Sequence, residues 1–182
     1  DAASSAATIS TLALVGGGRL LLGATFEMAP GWIHQVQSRL HKGRLLDVTT
    51  AVLDALYDAP GIRVIACRHE AAAANMAEAY GKLTGRPGIC FVTRAPGATH
   101  ASIGVHTARQ DSTPMILFVG QVARGMQLRE AFQEIDYAQV FGGLAKWAAE
   151  IDDAHRVPEL VTRAFHVAMS GRPGPVVLAM PE

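Results

Sequence analysis

From Asp47 to the end of the chain, short apolar runs alternate with longer segments of mixed, helix-like character. Thr49 or Thr50 can cap a helix reading AVLDALYDA, with Val52, Leu53 and Leu56 on one face, closed by Pro60 and Gly61. Val64 to Cys67 is a short apolar strand, and an Ala-rich helix runs from Glu70 to about Leu83, stopped at Gly85 to Gly88. Ile89 to Thr93 is the next strand. Arg94 to Gly97 reads as a sharp turn, Ala98 to Gln110 as a helix, and Met115 to Gly120 as a third strand. A polar connection leads to a short helix around Tyr137 to Phe141 and a strand at Trp147 to Ile151. The helix after Val157 carries Pro158 in its first turn, and Val176 to Met180 is the last strand. None of these strands has a polar face. Such runs call for a doubly wound, mainly parallel α/β sheet with helices on both faces. Right-handed crossovers would then place the carboxyl ends of the strands on one edge, the usual ligand crevice of such sheets.

The first 46 residues lack this regularity and are set apart as an atypical N-terminal segment, with residues 47–182 as one domain. TLALVGGGRLLLGATF is apolar but interrupted, too short for a membrane span and without the basic start of a secretory signal. Gly16, Gly17 and Gly18 suggest a turn between two short apolar segments. A phosphate loop is the lesser reading, since neither G-x-G-x-x-G nor Gly-Lys-Ser/Thr is present.

Composition narrows the classes of partner. Lys plus Arg and Asp plus Glu are both 16 in 182 residues, so no basic surface argues for nucleic acid or an anionic membrane. Cys67 and Cys90 both fall in expected strands and read as reduced, buried thiols of a cytoplasmic protein. No CxxC or HExxH spacing marks a metal site.

Candidate chemistry gathers after the strand ends. RVIACRHEAAAANMAEAYGKLTG passes from strand to helix through an abrupt turn, presenting Glu70 at the carboxyl edge. By spacing alone, Glu70 is equally an acidic first-turn residue favoured by the helix macrodipole. The Arg94–Gly97 turn, Gly120–Gln121 and the stretch around Phe132–Gln133 fall on the same edge.

The segments RHEAAAANMAEAYGKLTGRPGICFVTRAPGATHASIGVHTARQDSTPMILFVGQV, EAFQEID, KWAAEI and SGRPGPVVLAMPE, in that order, resemble the N-terminal pyrimidine-binding (Pyr) domain of thiamine-diphosphate enzymes, most closely the acetolactate synthase branch. The resemblance implies that Glu70 exchanges a proton with the N1′ nitrogen of the cofactor's aminopyrimidine, in chemistry on 2-keto acids such as pyruvate. An apolar surrounding, offered by Ala71 to Ala74, favours a carboxyl that can hold a proton. It also implies that Pro96 and Gly97 lie against the pyrimidine and that Gln133 approaches the reactive end. His100 stands where the family usually has Asn and is a cofactor-pocket candidate, with a helix-surface histidine as the alternative; Ala95 stands where the family has Gly, and if that position needed positive φ, Ala would strain it by roughly 1 kcal/mol. Lys146 and Phe132 are weaker pocket candidates, with a surface position and core packing as their respective alternatives.

Two departures matter. No Phe-Gly-x-Pro-Gly turn precedes the first regular helix, which predicts an incomplete half of the crevice. No Gly-Asp-Gly…Asn motif is present to hold Mg²⁺ and diphosphate. The expected assembly is a homo-oligomer, dimer or tetramer, or a complex with a partner chain carrying the diphosphate-binding domain. FAD binding, known in part of the branch, is left open, as is a non-catalytic, dimerising Pyr homologue.

Overall fold

The computed structural model describes residues 11–15 and 63–182; the expected helix over AVLDALYDA and the Gly16–Gly18 turn lie outside the described residues. Within them the elements are β1 (Thr11–Val15), β2 (Arg63–Ala66), α1 (Glu70–Thr84), β3 (Gly88–Val92), α2 (Ala95–Asp111), β4 (Met115–Gln121), α3 (Tyr137–Phe141), β5 (Trp147–Glu150), α4 (Val157–Met169) and β6 (Pro175–Pro181). They form a six-stranded sheet of order β2-β1-β3-β4-β6-β5.

β3, β4, β6 and β5 are parallel to one another, as expected for strands apolar on both faces. Every residue of β3 and β4 is buried. The β3–α2–β4 and β5–α4–β6 crossovers run in opposite directions across the sheet. With right-handed connections, α2 and α4 therefore cover opposite faces. β1 is the exception, pairing antiparallel with both β2 and β3. Leu12 faces Ala66 on one side and Phe91 on the other, so β2 and β3 end level at one edge. Val15, opposite Arg63, lies at the other edge. β1 thus breaks the rule that every carboxyl end shares the crevice.

Element ends differ from expectation by a residue or two, except at one informative place. Arg94–Gly97 is not a separate turn: Ala95, Pro96 and Gly97 are the first turn of α2, with Arg94 at the N-cap position but making no side-chain cap bond. Proline is at home there, because the first-turn N–H groups have no partner within the helix. Ala95 is absent from the residues with positive φ, so the anticipated strain at that position does not arise.

α1 ends at Gly85, whose φ of 68° is left-handed and whose N–H closes on Gly81 O at 2.9 Å. α1 and α2 pack closely. A Cβ on Gly104 would lie 2.7 Å from both the carbonyl carbon and the Cβ of Ala74, so only glycine allows the approach. Phe91 and Phe118 stack at 4.6 Å between ring centres in adjacent strands, joining β3 to β4 in the core.

Candidate active site at the sheet edge

β2 ends at Ala66, and three residues later His69 starts α1. The His69 backbone is extended (φ −145°, ψ 135°), and its Nδ1 accepts a hydrogen bond from Ala71 N at 3.1 Å. An imidazole here takes the part usually played by Ser, Thr or Asp. This cap turns the chain so that Glu70 points inward, and Glu70 is only 9% exposed.

α2 closes the site from the β3 side. Gly97 is buried, and a Cβ there would stand 3.5 Å from Glu70 Cγ and 3.3 Å from Thr93 Cγ2. The backbone of α2 thus passes close by the carboxyl-bearing chain. One turn along α2, His100 Nδ1 lies 3.0 Å from Glu70 Oε2. The His100 ring stacks on His69, with centroids 4.7 Å apart and planes inclined by 29°. Pro96 is exposed at the mouth. The structure therefore brings Glu70, Gly97 and His100 together, with Pro96 beside them.

His69 was missed by sequence reasoning. Its signal was its place directly before a helix-opening Glu, a cap position that is rarely histidine. His69, Glu70 and His100 bring one nitrogen or oxygen each to within 4.8 Å of one another. The Nδ1 lone pair of His69 already serves the helix. The trio is an imidazole–carboxylate cluster.

Gln133 is half-buried, with φ of 67°, and its carbonyl accepts from Ala95 N at 3.3 Å. It therefore joins the 127–135 loop to the start of α2. Phe132 is 79% exposed, contrary to either packing role considered for it, because the backbone turn that brings in Gln133 carries Phe132 out to solvent. Lys146 is half-buried and donates to Val167 O and Ser170 O, closing the last turn of α4. Burial, and after it the nearby Arg109 charge, pushes its ammonium below the ordinary lysine range. It serves the fold at a distance from Glu70.

Cys90 is fully buried; Cys67 is half-buried just beyond β2 and contacts Met76 Sδ at 3.7 Å. Burial first, then the charges of Cys67 and Glu70, pushes the Cys90 thiol far up; burial alone raises Cys67. Both thiols stay protonated near neutral pH and supply no nucleophile.

Beyond β4, Gln121 is buried: its Nε2 donates to Ile135 O at 2.9 Å and its Oε1 accepts from Val122 N at 2.9 Å. A cleft of about 510 Å³ opens here between Gln121, Gln127, Glu134 and Glu150. Glu134 shapes its rim by accepting from Leu128 N at 2.6 Å and Ala131 N at 3.0 Å. The bond from Leu128 leads in holding this carboxyl below its ordinary 4.5; bonds from Ala131 and Arg129 act the same way against some desolvation. A lowered carboxyl value means that its support for the loop is complete above pH 4.5 and is lost as pH falls through the folded value. The protection factors of the Leu128 and Ala131 amides, taken against the intrinsic exchange rate at each pH, are expected to fall on acidification, and to be low in Glu134→Ala at all pH. Equal protection in Glu134→Ala at pH 7 would show that the loop is held by other means.

An α/β sheet with a buried, helix-opening glutamate at its carboxyl edge, met by a glycine and a histidine of the next helix, offers a candidate ligand site built around one acid. Residues 45–140 match the family described as thiamine pyrophosphate enzyme, N-terminal TPP binding domain, and the chain belongs to that family. It is a Pyr domain of the acetolactate synthase-like kind. It is 39% identical over 132 residues to the acetolactate synthase of Bacillus subtilis, covering 72% of this chain and 23% of that protein. It is 40% identical over 131 residues to the mitochondrial acetolactate synthase of Schizosaccharomyces pombe, covering 72% and 20%. Against the Escherichia coli acetolactate synthase isozyme 3 large subunit the identity is 39% over 140 residues, covering 77% and 24%. The chain thus spans about a quarter or less of the length of these relatives. No helix among the described residues is long and apolar enough to cross a membrane.

Proposed function

We propose that the chain is the pyrimidine-binding half of a thiamine-diphosphate-dependent, acetolactate synthase-like enzyme acting on 2-keto acids such as pyruvate. The observation that carries this reading is the burial of Glu70 at the sheet edge, against Gly97 and within reach of His100, in a chain of this family.

The described residues suit the aminopyrimidine half of the cofactor. The buried carboxyl can exchange a proton with a ring nitrogen, and the backbone of Gly97 passes close beside it, next to Pro96. When bound, the cofactor supplies the carbon centre that attacks the keto acid and holds the electrons of the broken C–C bond. The protein's part is to present the Glu70 carboxyl, shield it from water and return its proton. Gln133, positioned by its bond to Ala95, is proposed to face the reacting end.

Mg²⁺ and the diphosphate would be held by a diphosphate-binding domain, whose Gly-Asp-Gly…Asn motif these 182 residues do not contain; a homo-oligomer, or a complex with a chain carrying that domain, is the proposed assembly. FAD binding remains a subsidiary proposal with no residue assigned to it. A cytoplasmic location is proposed from the reduced thiols.

Calorimetric titration with thiamine diphosphate and Mg²⁺ tests the reading. Glu70→Gln is expected to weaken binding about tenfold, the loss of one charge-assisted hydrogen bond. Equal affinity in both proteins would instead favour a non-catalytic binding module.

A further inference from the structure

A carboxyl that exchanges protons inside a dry notch must itself be recharged from water. The Glu70 side chain is 11% exposed, whereas that of His100 is 54% exposed, and 3.0 Å separates Oε2 of the first from Nδ1 of the second. We propose that His100 is the outer half of a two-residue proton relay whose inner half is Glu70. The relay rests on the thiamine reading for the destination of its proton; the Glu70–His100 pair does not.

The geometry assigns each ring a different task. His69 uses Nδ1 to accept from Ala71 N, so a proton on this nitrogen would break the helix cap. His69 is thereby held as a flat, capping wall, and its stack on His100 fixes the plane of the second ring. Nδ1 of His100 then addresses Glu70, and Nε2 lies on the opposite side of a ring that is half in solvent. Cys90, the other ionisable group behind Glu70, stays a neutral thiol because it is buried.

One transfer moves one proton. Nε2 of His100 takes a proton from a hydronium ion or buffer acid and forms an N–H bond. The Nδ1–H bond breaks, and its proton forms an O–H bond on Glu70 Oε2. The ring ends neutral with its proton on Nε2, and the carboxylate becomes a carboxylic acid. The reverse sequence carries a proton out. An asparagine at residue 100 could hold a hydrogen bond to Glu70 but pass nothing through, because an amide has no second basic nitrogen. Imidazole is the side chain that accepts on one atom while donating from another.

The position of the ring proton tests the pair without any cofactor. In the full chain labelled with [¹⁵N]histidine, at neutral pH and with a chelator present, His100 is expected to carry a proton on Nδ1. Glu70→Ala should move it to Nε2. A bare Nδ1 in the native chain, or a proton that stays on Nδ1 in Glu70→Ala, overturns the pair and with it the relay. With a diphosphate-binding domain supplied and thiamine diphosphate and Mg²⁺ added, His100→Asn should slow exchange of the cofactor C2 proton tenfold or more, with affinity changed less than threefold. Added imidazole should restore part of the rate in His100→Ala. Native-speed exchange in His100→Asn overturns the relay while leaving Glu70 as the cofactor's contact. If neither the native chain nor any variant binds the cofactor once a diphosphate-binding domain is supplied, the thiamine reading fails and the relay with it, and the ring-proton result then reports on the pair alone.

Discussion

Glu70→Gln is expected to slow exchange of the C2 proton of bound thiamine diphosphate by about 10²–10⁴-fold, the range for removing a positioned acid–base group. The amide is nearly isosteric with the carboxyl, so it preserves the packing against Gly97 and the fold. What it removes is the ability to take up and release a proton. NMR exchange measurements at saturating cofactor separate this effect from weaker binding, and circular dichroism checks the fold. An exchange rate within a factor of three of the native one would end the catalytic assignment. Glu70→Asp should retain part of the rate, because the group is correct but about one methylene too short. A purely structural acid in the first turn of α1 predicts the opposite: small stability changes and no effect on exchange.

Gly104→Val is expected to destabilise the chain by about 3 kcal/mol or more, near the top of the range for overpacking a tight contact. Valine improves helix propensity over glycine by only a few tenths of a kcal/mol, which cannot offset the clash. The new Cβ would stand 2.7 Å from the Ala74 carbonyl carbon and 2.9 Å from its oxygen. Backbone cannot move aside as a side-chain tip can, so α1 and α2 must separate. Ala74 and Gly104 lie four residues, about one turn, beyond Glu70 and His100 on their helices. The same substitution should therefore also pull the carboxylate from the imidazole. Thermal denaturation should show a fall of roughly 10 °C for a chain of this size. Gly125→Ala, with nothing within 4 Å of the added carbon, should stay within 0.5 kcal/mol of native, by the rule for exposed positions. A Gly104→Val protein as stable as Gly125→Ala would show that the helices tolerate a wider spacing.

The two effects share one cause. The site is a contact between the first turn of α1 and the first two turns of α2, and its geometry is set where those helices cross. A glycine four residues from the imidazole therefore bears on chemistry it does not touch.

Much of this was legible in the chain itself. Apolar runs without a polar face required strands covered on both sides, and β3, β4 and β6 are such strands. The abrupt change from VIAC to EAAAANMAEAY located Glu70 at a strand-to-helix junction before any coordinate was known. Its burial could not be read the same way, because an acidic first turn looks the same whether it faces water or a neighbouring helix.

The remainder depended on residues distant in sequence. Pro96 and Gly97 looked like a turn because proline and glycine break helices; directly after β3 they open one, where proline costs no hydrogen bond. Thr11–Val15 could be read as an apolar segment but not as a strand running against its neighbours, since strand direction is set by the pairing partner. Local sequence determined which elements form and which side chain stands at the sheet edge, because periodicity and breakers act within a few residues. Only the tertiary structure decided that His69 would cap, that His100 would meet Glu70 across 30 residues, and that Phe132 would face solvent. Those outcomes depend on how closely α1 and α2 approach and on how the 127–135 loop turns, and no single segment carries that distance.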